Sequence, residues 1–422
     1  MSRFGGAVVS VLLYILFCIR LNASANDLTA ATSSPKSATC YHAGFAVIYE
    51  CILKNVHIGE TEAITVDYFT DHKRAHDVSH LTFENSTISR LPKALLSAYP
   101  KVRVITLKNL QIKSLERGAF DQGGQVKMVD LSSNAIAHLD PDAFNGLPLL
   151  RLLSLNENNL THLPVGLFSS NKRLVSLTMI SNHIGRIEDN TFTYSPQHVD
   201  FYNNSIEHFD LDQIAQATSI DVSCNRLTEV KISVQVEALV ASKNRITRIL
   251  PRGENKNLKL LLLSHNKLRN ISWISMFPEL ETLDLAYNEI ETIVPEYFPP
   301  QTKLEKLLLN NNRLMIFDLT TVSLEQLHVL DLSHNLLSSV ERNSALFDRL
   351  GKLYLHSNGL KTLMLSANNN IQEIQLANND WDCANLRHLL QVINASAISR
   401  RDEACKPDYI NVSELCCKEH AA

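Results

Sequence analysis

Leu304-Glu305-Lys306-Leu307-Leu308-Leu309-Asn310-Asn311-Asn312-Arg313-Leu314 has leucine at its first, fourth, sixth and last positions and asparagine at the ninth. The same spacing returns at Leu150, Leu153, Leu155, Asn158 and Leu160, and again at Leu258, Leu261, Leu263, Asn266 and Leu268. The asparagine keeps phase at Asn134, Asn158, Asn182, Asn204, Asn225, Asn244, Asn266, Asn288, Asn312, Asn335, Asn358 and Asn379, with 19 to 24 residues between neighbours. Stepping back by 24 from Asn134 reaches Leu110 and then Ser86, each among apolar residues, which makes 14 units in all. Twelve asparagines in phase are not a chance pattern, and self-similarity at this period means a solenoid.

The residue types follow from the geometry of such a unit. Two leucines separated by one residue put both side chains on one face of a short strand, pointing inward. The chain then turns, and an asparagine amide can bond backbone groups that the turn leaves unpaired in the interior. One unit has too little core to stand alone, so stability comes from neighbours and the ends need caps. The expected fold is an α/β solenoid, a horseshoe of about 14 repeats with a parallel concave sheet and disulfide-stapled caps. Strands about 4.8 Å apart give a concave face on the order of 60 Å long, which suits a protein ligand better than a small molecule.

The 422 residues are 45% hydrophobic and 20% charged, enough apolar material for a large core. Forty basic against 44 acidic residues give a net charge of −4, without a basic block, so nucleic acid is excluded as a partner. Arg3, the apolar run Ala7 to Ile19 and Ala23-Ser24-Ala25 read as a signal peptide over 1–25, cleaved after Ala25. That run is too short to span about 30 Å of hydrocarbon, and no later stretch is longer, so we expect no membrane span. The expected divisions are a flexible segment at 26–39, an N-terminal cap at 40–75, repeats over 76–380 and a C-terminal cap at 381–422.

Six of the seven cysteines left after the signal lie at the two ends, as expected of stapled caps in an oxidising compartment. Phe45, Val47 and Tyr49 alternate between Cys40 and Cys51, which reads as one strand starting the sheet with the two cysteines paired. At the other end Leu386, Leu389, Leu390 and Ile393 form a helical pattern after Cys383. Adjacent Cys416 and Cys417 are too close to share a zinc ion or to bond each other readily, so Cys383 and Cys405 each take one of them. Cys224 stands alone, either a small semi-buried filler or an intermolecular link. Asn85, Asn159, Asn203, Asn270, Asn394 and Asn411 head glycosylation sequons. Repeats before Asn204 close with Phe120, Phe144, Phe168 and Phe192; the units from Asn204 to Asn244 are shorter and lose it, so curvature is expected to change there.

Concave positions place Asp130, Asp200, Asp221, Asp284 and Asp331 in register because the repeat is in register. Tyr202, His265, Tyr287, His334, Tyr354 and His356 are the candidate protein-binding side chains. His265 and His334 fall three repeats apart, roughly 15 Å, too far for one metal. No G-x-S-x-G, H-E-x-x-H or phosphate-binding glycine loop occurs, so we expect no enzyme, cofactor or metal. Arg400-Arg401 reads as an exposed basic pair of the C-terminal cap.

Beyond the repeat, several stretches resemble mosquito leucine-rich-repeat immune proteins, and among them the Anopheles Plasmodium-responsive ones. They are Cys40 to Cys51 with Asn55-Val56-His57-Ile58, Phe83-Glu84-Asn85-Ser86-Thr87, Leu330-Asp331-Leu332-Ser333-His334-Asn335, Val340-Glu341-Arg342-Asn343, Asn379-Asp380-Trp381-Asp382-Cys383 and Cys416-Cys417-Lys418-Glu419. The resemblance covers Cys40 to Glu419. It implies a secreted haemolymph protein, disulfide-linked to a second leucine-rich-repeat immune protein and holding a complement-like thioester protein against parasites or microbes. Long members of that family continue past the double cysteine into a coiled coil, whereas this sequence ends at Ala422, as in a coil-less member or a truncated gene product. The competing expectation is a non-immune extracellular adhesion or signalling module.

Overall fold

The computed structural model describes residues 37–42, 49–59, 75–115 and 117–419. The signal peptide, most of the flexible segment, and residues 43–48 and 60–74 of the N-terminal cap lie outside the described residues.

One seventeen-stranded sheet runs through the chain. Fourteen of its strands belong to the fourteen units, from His80–Glu84 to Glu373–Gln375, and three come from the caps: Ser37–His42, Tyr49–Lys54 and Ile398–Arg400. All neighbours pair in parallel except the first two, which are antiparallel. Most strands are three residues long and share one burial pattern, the middle residue inside and its two neighbours half-exposed on the concave face. Leu153, Leu261 and Leu330 are such central residues, at most 2% exposed.

The asparagines form a ladder behind this sheet. Asn288, 7% exposed, accepts the Leu268 amide on Oδ1 at 3.0 Å, while its Nδ2 donates to the carbonyls of Leu263, Leu285 and Ala286. Asn158, Asn182, Asn204, Asn225, Asn266, Asn312 and Asn335 repeat this scheme against the preceding unit. At the degenerate position Ser86 substitutes a hydroxyl, which accepts the Val56 amide and donates to the Glu84 carbonyl.

On the opposite side, Phe120, Phe144, Phe168 and Phe192 stack with centroids 5.3 to 6.0 Å apart, and Phe209 ends the row at 6.4 Å. Beyond it, in the short units, Glu229–Ile232 and Arg248–Pro251 pair as a four-residue parallel ladder, against two residues elsewhere.

The caps differ from expectation in three ways. The first strand begins at Ser37, before the expected start of the cap at 40. In place of one strand from Cys40 to Cys51, two antiparallel strands place Cys51 opposite Cys40 in the register, and Cys51 is disulfide-bonded. The C-terminal cap also supplies a strand to the concave sheet, Ile398–Arg400. Its helix Cys383–Val392 is N-capped by Asp382, whose side chain accepts the Asn385 amide at 2.8 Å, and it buries Leu386 and Leu389. Cys383 bonds Cys417 and Cys405 bonds Cys416. Adjacent residues of a strand point to opposite faces, so Cys416 and Cys417 in strand Leu415–Lys418 must take different partners.

Candidate functional site

The residue before each ladder asparagine adopts the left-handed conformation: Ser133, Glu157, Ser181, Asn203, Cys224, Lys243, His265, Tyr287, Asn311, His334, Ser357 and Asn378 all have φ between 53° and 58°. Ordinary residues resist this region at roughly 1–2 kcal/mol each. The turn imposes it, because the chain must reverse its side-chain direction at once to bring the asparagine inside. His265, Tyr287 and His334 are thereby held outward at the rim of the sheet. The rings of His265 and Tyr287 stack at 4.1 Å and 11°. Tyr287 keeps 47% of its surface exposed, and next to the pair the concave face is apolar, with half-buried Ala238, Val240, Leu260 and Leu262. A rigid aromatic platform beside apolar area is the make-up of a protein contact surface.

Toward the N-terminal side, Asp200 and Asp221 face each other across adjacent strands. Each caps its own turn: Asp200 accepts the Tyr202 amide at 2.9 Å, and Asp221 accepts the Ser223 amide at 2.8 Å and the Ser223 hydroxyl. Burial first, and Asp221 next, push the Asp200 carboxyl up to about 7; burial also raises Asp221. Exposed Tyr202 shares a hydrogen bond with the thiol of unpaired Cys224, which holds its hydroxyl above the usual range.

Toward the C-terminal side, His334 stands edge-on to His356 at 5.0 Å. His356 is only 6% exposed, which corrects the contact role expected of it. Burial, then Arg400 and His334, push its imidazole down to about 4. Half-buried Tyr354 bonds Glu373, and burial with that bond takes its hydroxyl up to about 12. Glu373 also accepts from Lys352 at 2.7 Å and Ser399 at 3.1 Å.

Of the six candidates, the structure therefore sets His265 with Tyr287 and His334 with His356, and leaves Tyr202 apart beside Cys224. Two strands separate the His265 and His334 units. Among the described residues no three His, Cys, Asp or Glu side chains form a metal site, and no helix is long and apolar enough to cross a membrane. All six sequon asparagines are exposed, though Nδ2 of Asn203 donates to Ser181. Sequence reasoning did not single out half-buried Val240, Leu260 and Leu262 on the concave face, because apolar residues at strand positions read as ordinary core of the repeat. Arg400 and Arg401 are exposed, as expected of the basic pair in the C-terminal cap, and Arg400 ends the cap strand Ile398–Arg400 that pairs with the last repeat strand.

The leucine rich repeat family model matches residues 100–160, 124–184 and 256–314. The crystal structure of the APL1 leucine-rich repeat domain is 37% identical, with a TM-score of 0.82, over 88% of this chain and 98% of that one. The LRIM1/APL1C complex contains a chain similar at the same identity and TM-score, over 88% of this chain and 69% of that one. Mouse Toll-like receptor 9 is 33% identical over 111 residues, 24% of this chain, which thus spans a tenth of that curated relative.

Proposed function

This chain belongs to the family of the APL1 leucine-rich-repeat proteins, and from that premise we propose that it is a secreted binding protein of innate immunity that works by presenting a surface rather than by catalysis. The observation that carries this reading is 37% identity sustained over 88% of the chain. Its setting is haemolymph, reached after removal of residues 1–25, with glycans on Asn85, Asn159, Asn203, Asn270, Asn394 and Asn411. Its partners are a second leucine-rich-repeat immune protein and a complement-like thioester protein. The LRIM1/APL1C complex supports the first of these, since there two such proteins assemble. Tyr202, His265, Tyr287, His334 and Tyr354 line the ligand surface, with His265 and Tyr287 as its rigid anchor.

The test is non-reducing against reducing electrophoresis of the protein taken from haemolymph, with mass spectrometry of co-purifying chains. A disulfide-linked heterodimer or a co-purifying thioester protein is the expected result. A lone monomer with neither partner would remove the complement-like role and leave only the scaffold.

A further inference from the structure

The residues that lead into the concave strands form a row of their own along the entry rim of the sheet. The Lys127 amide donates to the Arg103 carbonyl at 2.7 Å, Arg151 to Lys127 at 2.8 Å, and Val175 to Arg151 at 2.8 Å. The same bonding carries the row on to Glu237, Lys259, Glu281 and Glu305. Charge is segregated along it. Arg103, Lys127 and Arg151 are exposed at the starts of three adjacent strands, Val104–Thr106, Met128–Asp130 and Leu152–Ser154, whereas glutamate dominates toward the other end.

Lys259 and Glu281 show how close neighbours in this row can come, since their side chains meet at 3.1 Å. Like charges placed opposite one another on adjacent strands destabilise a sheet. Among the described residues no carboxylate pairs with Arg103, Lys127 or Arg151 to relieve that repulsion. Asp130, the one acidic residue in the three strands, accepts the Ser132 amide at 2.9 Å instead. Three unpaired cations side by side do nothing for folding, and they leave a local positive stripe on a chain of net charge −4. Next to that stripe Val104, Met128 and Leu152 stand in register on the concave face, all half-buried. The surface therefore offers a row of three cations beside a row of three apolar side chains.

We infer that this N-terminal end of the sheet docks an acidic amphipathic helix of a protein partner, laid across the strands. Its carboxylates meet Arg103, Lys127 and Arg151, and its apolar stripe covers Val104, Met128 and Leu152. The spacing favours a helix: strands repeat at about 4.8 Å and helical turns at about 5.4 Å, a mismatch that long basic side chains absorb. An extended segment repeats its side chains on one face only every 6.8 Å or about that, and would drift by about 2 Å at each step. A sulfated glycan would engage the cations and leave the apolar row uncovered. Five strands separate Leu152–Ser154 from Thr282–Asp284, the strand that precedes Tyr287, so this surface is distinct from the His265 and Tyr287 platform and goes beyond the function proposed for it.

The test is fluorescence anisotropy of a fluorescein-labelled helical peptide against the full chain at neutral pH and physiological salt. The peptide carries one glutamate and one leucine per turn on neighbouring stripes, and two reference peptides replace the glutamates by glutamine or the leucines by serine. The first is expected to bind, and both references to bind at least tenfold more weakly. Arg103→Gln, Lys127→Gln and Arg151→Gln should each weaken binding about threefold, and the triple variant at least tenfold. All three replace exposed side chains, and a thermal melt no lower than that of the unaltered chain checks that the variants fold. Lys259→Gln, at the ion-paired cation of the same row, and Tyr287→Ala should both stay within twofold. Equal binding of the glutamate and glutamine peptides, or normal binding by the triple variant, would overturn the surface. Loss of binding in Tyr287→Ala would place the peptide on the aromatic platform and overturn it as well. Equal binding of a proline-interrupted peptide of the same composition would refute the helix, and tighter binding of a sulfated oligosaccharide would refute the protein partner.

Discussion

Replacing Asn288 by alanine tests the ladder at its centre. The substitution deletes four hydrogen bonds, but the groups left behind do not suffer equally. The Leu263 carbonyl keeps the Asn266 amide at 3.0 Å, the Leu285 carbonyl keeps Asn312 at 2.9 Å, and the Ala286 carbonyl keeps the His265 amide at 2.9 Å. Only the Leu268 amide, in a residue with no exposed surface, loses its sole partner. An orphaned buried donor costs about 1–3 kcal/mol, and the bonds lost from the carbonyls add about 1 kcal/mol more, so roughly 2–4 kcal/mol is expected. Equilibrium urea unfolding under non-reducing conditions measures it. Asn310→Ala, half-exposed in the next unit, is the control and should change stability by less than about 0.5 kcal/mol. Asn288→Asp keeps the acceptor for Leu268 but sets a carboxylate against three carbonyls. Its folded pKa lies above the unfolded value, so that variant should gain stability as pH falls toward 4. An Asn288→Ala loss below 0.5 kcal/mol would refute the ladder as a source of stability, and an Asp variant that loses stability on acidification would refute its polarity.

Asp200 has its folded pKa raised to about 7, so its contribution is fully present below the unfolded value near 4 and is lost as pH rises through 7. The wild type should therefore melt lower at pH 8 than at pH 5, and Asp200→Asn should flatten that dependence; calorimetry across the two pH values decides. Cys383→Ser opens a disulfide of sequence separation 34 and should cost about 2–4 kcal/mol, read as a lower melting temperature that reductant no longer changes through this bond. Phe168, stacked between Phe144 and Phe192 with no exposed surface, should cost about 3–5 kcal/mol on replacement by alanine, whereas Phe→Leu at the same position should cost less than half of that in urea unfolding.

The contact face shows where pattern reading succeeds and where it stops. The asparagine phase located every strand from Met128–Asp130 to Glu373–Gln375, and hence which residues stand on the concave side. It could not separate His334 from His356. The two differ by one position relative to their asparagines: His334 immediately precedes Asn335, whereas His356 lies two before Asn358. One step along the turn decides between the exposed rim and the crowded face. The left-handed column had a faint signature in Asn55, Asn85, Asn109, Asn203, Asn311 and Asn378, the residue type that tolerates this conformation best after glycine. Tyr287, His265 and Cys224 occupy the same place without that signature.

The sequence by itself determined the solenoid, its unit count, the buried ladder and the stapled ends, because each depends on residues repeated within one unit's reach. Tertiary structure alone decided the pairing of Cys383 with Cys417 and Cys405 with Cys416, the burial of His356 and the arrival of Arg400 at the edge of the concave sheet. These are relations between units or between cap and sheet, and they are set by strand register and by what the neighbouring unit covers. No spacing within a single repeat encodes either.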